Sequence, residues 1–246
     1  MSFKEFLAAR REKKRAKTIG AMVQRLANPY GQTPERKRAI HVLSEIDTDD
    51  ALAGLLHRYK FNAEKSIIDE DEKEMIYEIL LSKGPRVVPL LREYLEVETT
   101  IFWPLKLLRS IAGEEATVGI LLDLLAAIPE DYVDTRMMDR KLSFISQLRD
   151  FQDPRILEVL LALVGNEEEE IRFHAVDAIS MYPGPETTRL LVERLLDPEE
   201  TMRIRNFIMD LLVENGWQVK AQRKELRASL TGAFWIDDTG VVQRKK

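Results

Sequence analysis

Three His residues (His41, His57 and His174) and no Cys are all that this 246-residue chain offers for imidazole or thiol chemistry. They are followed by Val42, Arg58 and Ala175, so no two sit at metal-ligand spacing and none begins a His-Glu pair. Without Cys there is no disulfide framework, Cys-zinc site, thiol nucleophile or redox pair, which suits a reducing cytoplasm. The sequence has neither a Gly-rich phosphate loop nor a Gly-x-Ser-x-Gly elbow. Asp238-Thr239-Gly240 has the form of an acid-protease triplet, but that chemistry needs two carboxylates sharing one β-scaffold site. The acidic runs 69–72, 167–170 and 199–200 lack the Gly-centred spacing of a calcium loop, and read as solvated first-turn carboxylates beside a helix dipole. Trp103, Trp217, Met137, Met138, Met202 and Met209 fall at positions that read as packing. No metal or cofactor is expected.

Charge is the stronger signal. Residues 1–38 carry eleven Lys/Arg against three Glu, net +8, while residues 39–246 carry 26 cations against 39 acids, net −13. Arg10, Arg11, Lys13, Lys14, Arg15 and Lys17 put six cations within eight residues. Two apolar patches flank them: Phe3, Phe6 and Leu7 before, and Ile19, Val23 and Leu26 after, which predicts one helix over about 3–27. Both patches are expected to dock on the next element as a cap. The cations then remain in water or meet an acidic protein surface, nucleic-acid phosphates or anionic lipid. The stretch has no uninterrupted apolar core, so it is not read as a secretory signal, and no run approaches the ~18 apolar residues of a membrane span.

The elements carrying these residues are helices of ten to sixteen residues, with apolar stripes such as Ile40, Leu43 and Ile46, or Val87, Val88, Leu91 and Leu95. Thr33-Pro34-Glu35, Asp153-Pro154-Arg155 and Asp197-Pro198-Glu199 read as helix starts, each a capping oxygen followed by Pro. Pro89 falls early enough in its stripe to be tolerated. Asp49, Gly84, Gly113, Asp153, Gly184 and Gly216 recur at spacings of 35, 29, 40, 31 and 32 residues. A period in this range, with two helices per unit, means stacked helical hairpins. Within it, IRFHAVDAISMYPG (171–184) aligns with IRNFIMDLLVENG (204–216), pairing Arg172 with Arg205 and Asp177 with Asp210.

The stretch NEEEEIRFHAVDAISMYPGPETTRLLVERLLDPEETMRIRNF resembles the short HEAT repeats, including those of phycobilin lyases, and the likeness extends over about 34–230. It implies that Arg172 and Arg205 stitch neighbouring repeats by pairing with turn acids. It also implies that the second helix of each hairpin lines a concave face, which makes Arg92, Arg155, Arg189 and Arg194 partner-binding candidates with the six arm cations. Deoxyhypusine hydroxylase, a HEAT-repeat enzyme, holds iron through His-Glu pairs that this sequence lacks. HEAT-like alkylpurine DNA glycosylases use a cationic groove, which the net-negative body opposes.

The resulting expectation is an all-α, right-handed α-solenoid of about six HEAT-like hairpins. Its parts are a basic N-terminal helix or cap (1–33), a repeat domain (34–230) whose fourth unit begins with an overlong helix, and a C-terminal tail or small hairpin (231–246). The function expected is a non-enzymatic, cytoplasmic protein-interaction scaffold or adaptor with a protein partner. Nucleic-acid binding through the arm is the second reading, and a HEAT-like DNA glycosylase the third.

Overall fold

The computed structural model describes residues 3–63, 66–129, 134–220, 223–230 and 233–245. They are helical apart from one small hairpin, and the chain forms two compact units, Met1–Ala127 and Ile128–Lys246.

In the first unit a long helix, α1 (Phe3–Leu26), precedes three helical hairpins. These are α2 (Thr33–Ile46) with α3 (Asp49–Leu56), α4 (Ser66–Leu81) with α5 (Val88–Val97), and α6 (Phe102–Ala112) with α7 (Glu114–Ala126). Helices α2, α4 and α6 pack in succession as one layer, α3, α5 and α7 form the other, and α1 lies across α2 and α3. The apolar stripes meet between the layers, burying Ile40, Leu43, Leu55, Ile76, Leu91, Leu107 and Leu121. Trp103 is a packing residue, stacked on Tyr59 at 6.0 Å with Tyr77 edge-on to it. Pro89 sits in the first turn of α5, where its missing N–H leaves no bond unmade.

Turn chemistry fixes the reversals. Gly113, at φ 83, is the single residue between α6 and α7, a conformation strained for any L side chain. The first reversal falls at Asp47, left-handed at φ 49, and not at Asp49, which begins α3. Lys83 and Arg86, from the α4–α5 turn, bind the Asp47 carboxylate and hold it below the ordinary carboxylate range.

The second apolar patch of α1 docks. Ile19 and Leu26 are buried, and Val23 lies so close to Gly54 of α3 that a Cβ there would meet its Cγ2 at 2.6 Å. Phe6, expected to dock as well, is 53% exposed. Length accounts for the difference: a 24-residue helix runs about 36 Å, whereas the 14-residue α2 beneath it runs about 21 Å.

The second unit repeats the plan with α8 (Thr135–Leu148) and α9 (Pro154–Leu163), α10 (Glu169–Ile179) and α11 (Pro185–Leu196), and α12 (Met202–Asn215) and α13 (Arg223–Ser229). Helix α10 packs on α8, α9 and α12. At 14 residues α8 matches α2 and α12, so the fourth repeat's first helix is of ordinary length. Asp153 caps α9 as expected, accepting the Arg155 N–H at 2.9 Å. The other two predicted starts shift. Gln32 occupies the cap position of α2, with Thr33 already helical. Asp197 closes α11, and α12 begins only after Thr201, whose Oγ1 accepts the Ile204 N–H. Met209 is buried but Met202, expected in the core, is 57% exposed in the first turn of α12.

The tail folds as an antiparallel hairpin, β1 (Phe234–Ile236) with β2 (Val242–Arg244), in contact with α12 and α13. Asp237 organises its turn by accepting the Thr239 hydroxyl and the backbone N–H groups of Val241 and Thr239, bonds that lower its pKa to about 2. Asp238, Thr239 and Gly240 are thus turn residues.

Candidate functional site

The charged residues at the heart of the first unit are buried. Arg58 is fully inaccessible, its Nη2 2.6 Å from Asp69 Oδ1 and its Nε 2.7 Å from Glu72 Oε2. Arg36, at the fourth position of α2, donates from Nε to both Glu72 oxygens at 2.9 and 3.1 Å and from Nη1 to the Gly31 carbonyl. Lys73 closes the group, 2.7 Å from both Asp69 Oδ2 and Asn62 Oδ1. The reading of 69–72 as solvated acids holds for Glu70 and Asp71, which are exposed, and is corrected for Asp69 and Glu72. Helix α4 starts at Ser66, and Asp69 of its first turn and Glu72 of its second both face inward, toward two arginines of the preceding hairpin. Burial raises the pKa of Asp69, but bonds from Lys73, the Ala63 N–H and Arg58 outweigh it and hold the carboxyl below its usual range.

A carboxyl depressed in the folded state adds stability that is fully present above its unfolded pKa, about 3.9, and is lost as pH falls through the folded value. Wild type should therefore exceed Asp69→Asn in melting temperature at about pH 5 and lose that margin as the pH falls below the unfolded value. A margin independent of pH would show that Asp69 is not ionised in the folded protein.

The second unit uses the same device. Arg172, at the fourth position of α10, donates from Nε and Nη2 to the two Glu200 oxygens, each at 3.0 Å, and from Nη1 to the carbonyls of Asn166 and Glu167. Glu200, expected in a solvated first turn, is buried before α12 and accepts the Thr201 N–H. The profile of the HEAT repeats matches residues 141–209, from within α8 to within α12. Residues 141–209 are thus HEAT repeats. The match is to HEAT repeats in general and does not single out the phycobilin-lyase type. No curated protein matches the chain.

In these HEAT repeats Arg172 stitches one hairpin to the next through Glu200, whereas Arg205 does not repeat the bond. Arg205 also occupies a fourth helical position, in α12, but among the described residues no carboxylate pairs with it. Its Nη2 donates to the Asp197 carbonyl, and its Nε is buried without a partner. Asp177 and Asp210, the other aligned pair, take Arg149 from α8 and Arg244 from β2 respectively.

The partner-binding candidates differ in how they are paired. Arg92 pairs with Glu96, Arg155 with Asp153 and Arg189 with Glu193, each within or beside its own helix. Arg194 is partly buried, bonded to Asp197 and with its Nε 2.7 Å from Glu200 Oε2, although that N–H is not aimed at the oxygen. Arg10, Arg11, Lys13, Lys14, Arg15 and Lys17 are all exposed along α1, and Arg15 makes a single loose pair with Glu12 at 3.9 Å. Arg11, Lys14, Arg15 and Thr18 share one face of α1 and wall a groove of about 350 Å³ against Val42, Glu45 and Ile46 of α2.

The three His residues have separate settings. His41 is exposed beside Glu45, His174 meets Ser146 Oγ at 2.9 Å across α8 and α10, and burial with nearby Lys60 lowers the pKa of His57. The residues that sequence reasoning missed are Arg36, Arg58 and Lys73. Arg36 had a signal, since it stands three residues after a helix start as Arg172 does. Arg58, in a short 3-10 turn at His57–Lys60, had none.

Proposed function

We propose that the chain is a non-enzymatic HEAT-repeat interaction scaffold that holds an acidic protein segment in the groove between α1 and α2. The observation that carries this reading is the groove itself: Arg11, Lys14 and Arg15 stand along one wall while Val42 and Ile46 offer aliphatic surface beside them. A segment with carboxylates and one aliphatic anchor satisfies both, since charge draws the partner in and apolar burial holds it. No described helix is long and apolar enough to cross a membrane, and a reducing compartment such as the cytoplasm is the setting assumed.

The test compares wild type with a variant carrying Ala at Arg10, Arg11, Lys13, Lys14, Arg15 and Lys17, which retains helix propensity. A fluorescent peptide alternating Glu and Leu, and labelled single- and double-stranded DNA and RNA, are titrated at about 0.15 M salt. The peptide should bind wild type and bind the variant at least about tenfold more weakly, a difference of about 1.4 kcal/mol. Three cations on one face would give nucleic acid a log–log salt slope of only about −2.7. Submicromolar nucleic-acid binding that the variant loses would replace this reading with the nucleic-acid one.

A further inference from the structure

Among the described residues three helices place Arg at the fourth position, and two of those arginines meet a carboxylate. In α2 and α10 the Nε of Arg36 and of Arg172 donates to the glutamate of the following hairpin, Glu72 and Glu200 respectively. In both, a terminal guanidinium nitrogen binds a backbone carbonyl preceding the helix. Arg205 of α12 keeps the second bond, to the Asp197 carbonyl, and lacks the first. The atom left buried without an acceptor is Nε, the one that binds carboxylate in the other two. Buried donors of this kind are ordinarily satisfied in folded proteins, so an orphan at a repeated position calls for an explanation.

The surroundings of Arg205 supply one. It lines a cavity of about 170 Å³ between α11, α12, α13 and β1, whose other walls include Leu195, Met209, Leu226, Leu230 and Phe234. Leu195, Met209 and Leu226 give it buried apolar wall, and Arg205 and Asn206 bring polar side chains to the same lining. An apolar cavity of about 150 Å³ is large enough to take benzene. We infer that this cavity is a binding site for a carboxylate bearing a small apolar group, in which the ligand's carboxylate takes the place at Arg205 that Glu72 and Glu200 take at Arg36 and Arg172. A carboxylate would make a charge-assisted bond to the guanidinium while its apolar group fills the leucine-lined space. Arg205 would set the preference for acid over neutral ligand, and the cavity the size limit. The same chemistry could come from a free short-chain acid or from the C-terminus of a peptide ending in an aliphatic residue.

The full chain, labelled with ¹³C at the Met methyls, allows a direct test because Met209 lines the cavity and Met202 stands beside Arg205 in the lining. Hexanoate and 3-phenylpropionate are titrated against their amides, and a short peptide ending in Leu is titrated with free and amidated C-termini. The free acids should shift the Met209 methyl saturably and bind at least about tenfold more tightly than the amides, with Arg205→Met abolishing that preference. Tighter binding of the free-ended peptide than of hexanoate would assign the site to a chain terminus, and the reverse to a small acid. Equal binding of acid and amide by wild type, or no Met209 shift up to about 10 mM, would overturn the assignment, as would unchanged acid preference in Arg205→Met. The acid–amide comparison on wild type decides the matter even if the variant fails to fold.

Discussion

Glu72→Ala should lower the melting temperature by about 6–20 °C, the consequence of a loss of about 3–5 kcal/mol. Glu72 is fully buried and accepts from Nε of both Arg36 and Arg58, themselves only 3% and 0% exposed. Removing it leaves two guanidinium groups with their remaining bonds but without the charge that balances them. That is the costly way to break a buried pair, because desolvation has already been incurred and no attraction offsets it. Arg58 retains Asp69 and the Phe61 carbonyl, while Arg36 retains only the Gly31 carbonyl and a long contact to Thr33, so Arg36 should leave its site first. Glu72→Gln, which keeps an acceptor without charge, should lose less than Glu72→Ala. If both variants melt with wild type, the five charges do not act as a network, and the first two hairpins are held together by apolar packing alone.

Such a network is hard to read from a sequence because acids in a helix's opening turns have two destinations. Residues 169 and 170 stay at the surface, where Glu170 takes Arg203 and is held below its usual pKa. Asp69 and Glu72 turn inward because they lie one helical turn apart on the side of α4 that meets α2 and the 3-10 turn at His57–Lys60. Nothing in their residue types separates the two cases. What decides is which side of the helix faces another hairpin, a property of packing.

Hairpin architecture was legible because it rests on local rules. Apolar period, the Asp153-Pro154 start and the glycines at 84, 113 and 216 all act within a turn or two of themselves, and those glycines adopt the positive φ they alone take readily. The arm's helix was legible for the same reason, whereas the fate of Phe6 depended on the length of α2 beneath it. Arg205 is the converse case. Its alignment with Arg172 was correct as a helical position, yet a stitching bond needs an acid from another hairpin, and the chain continues from α12 into α13 and a β-hairpin instead.

Ala175→Glu tests the packing of the best-matched repeat. Ala175 is wholly inaccessible in α10, which packs against both α8 and α9, and it lies on one stripe with buried Ile171 and Ile179. Two contacts on either side of it fix the spacing of α8 and α10. His174 meets Ser146, and the Asp177 carboxylate accepts Arg149 at 2.9 and 3.0 Å, so the helices cannot separate to admit a larger side chain without breaking these bonds. A glutamate there would add volume where none is free and bring a carboxylate into an apolar layer, a combined loss of several kcal/mol, on the order of 4 or more. Ala175→Gly, which removes one methyl and adds chain entropy, should cost only about 1 kcal/mol. Thermal melts followed by circular dichroism should therefore rank wild type above Ala175→Gly and far above Ala175→Glu. A glutamate variant that melts with wild type would mean that residue 175 faces water and that the α8–α10 contact is not closed as described.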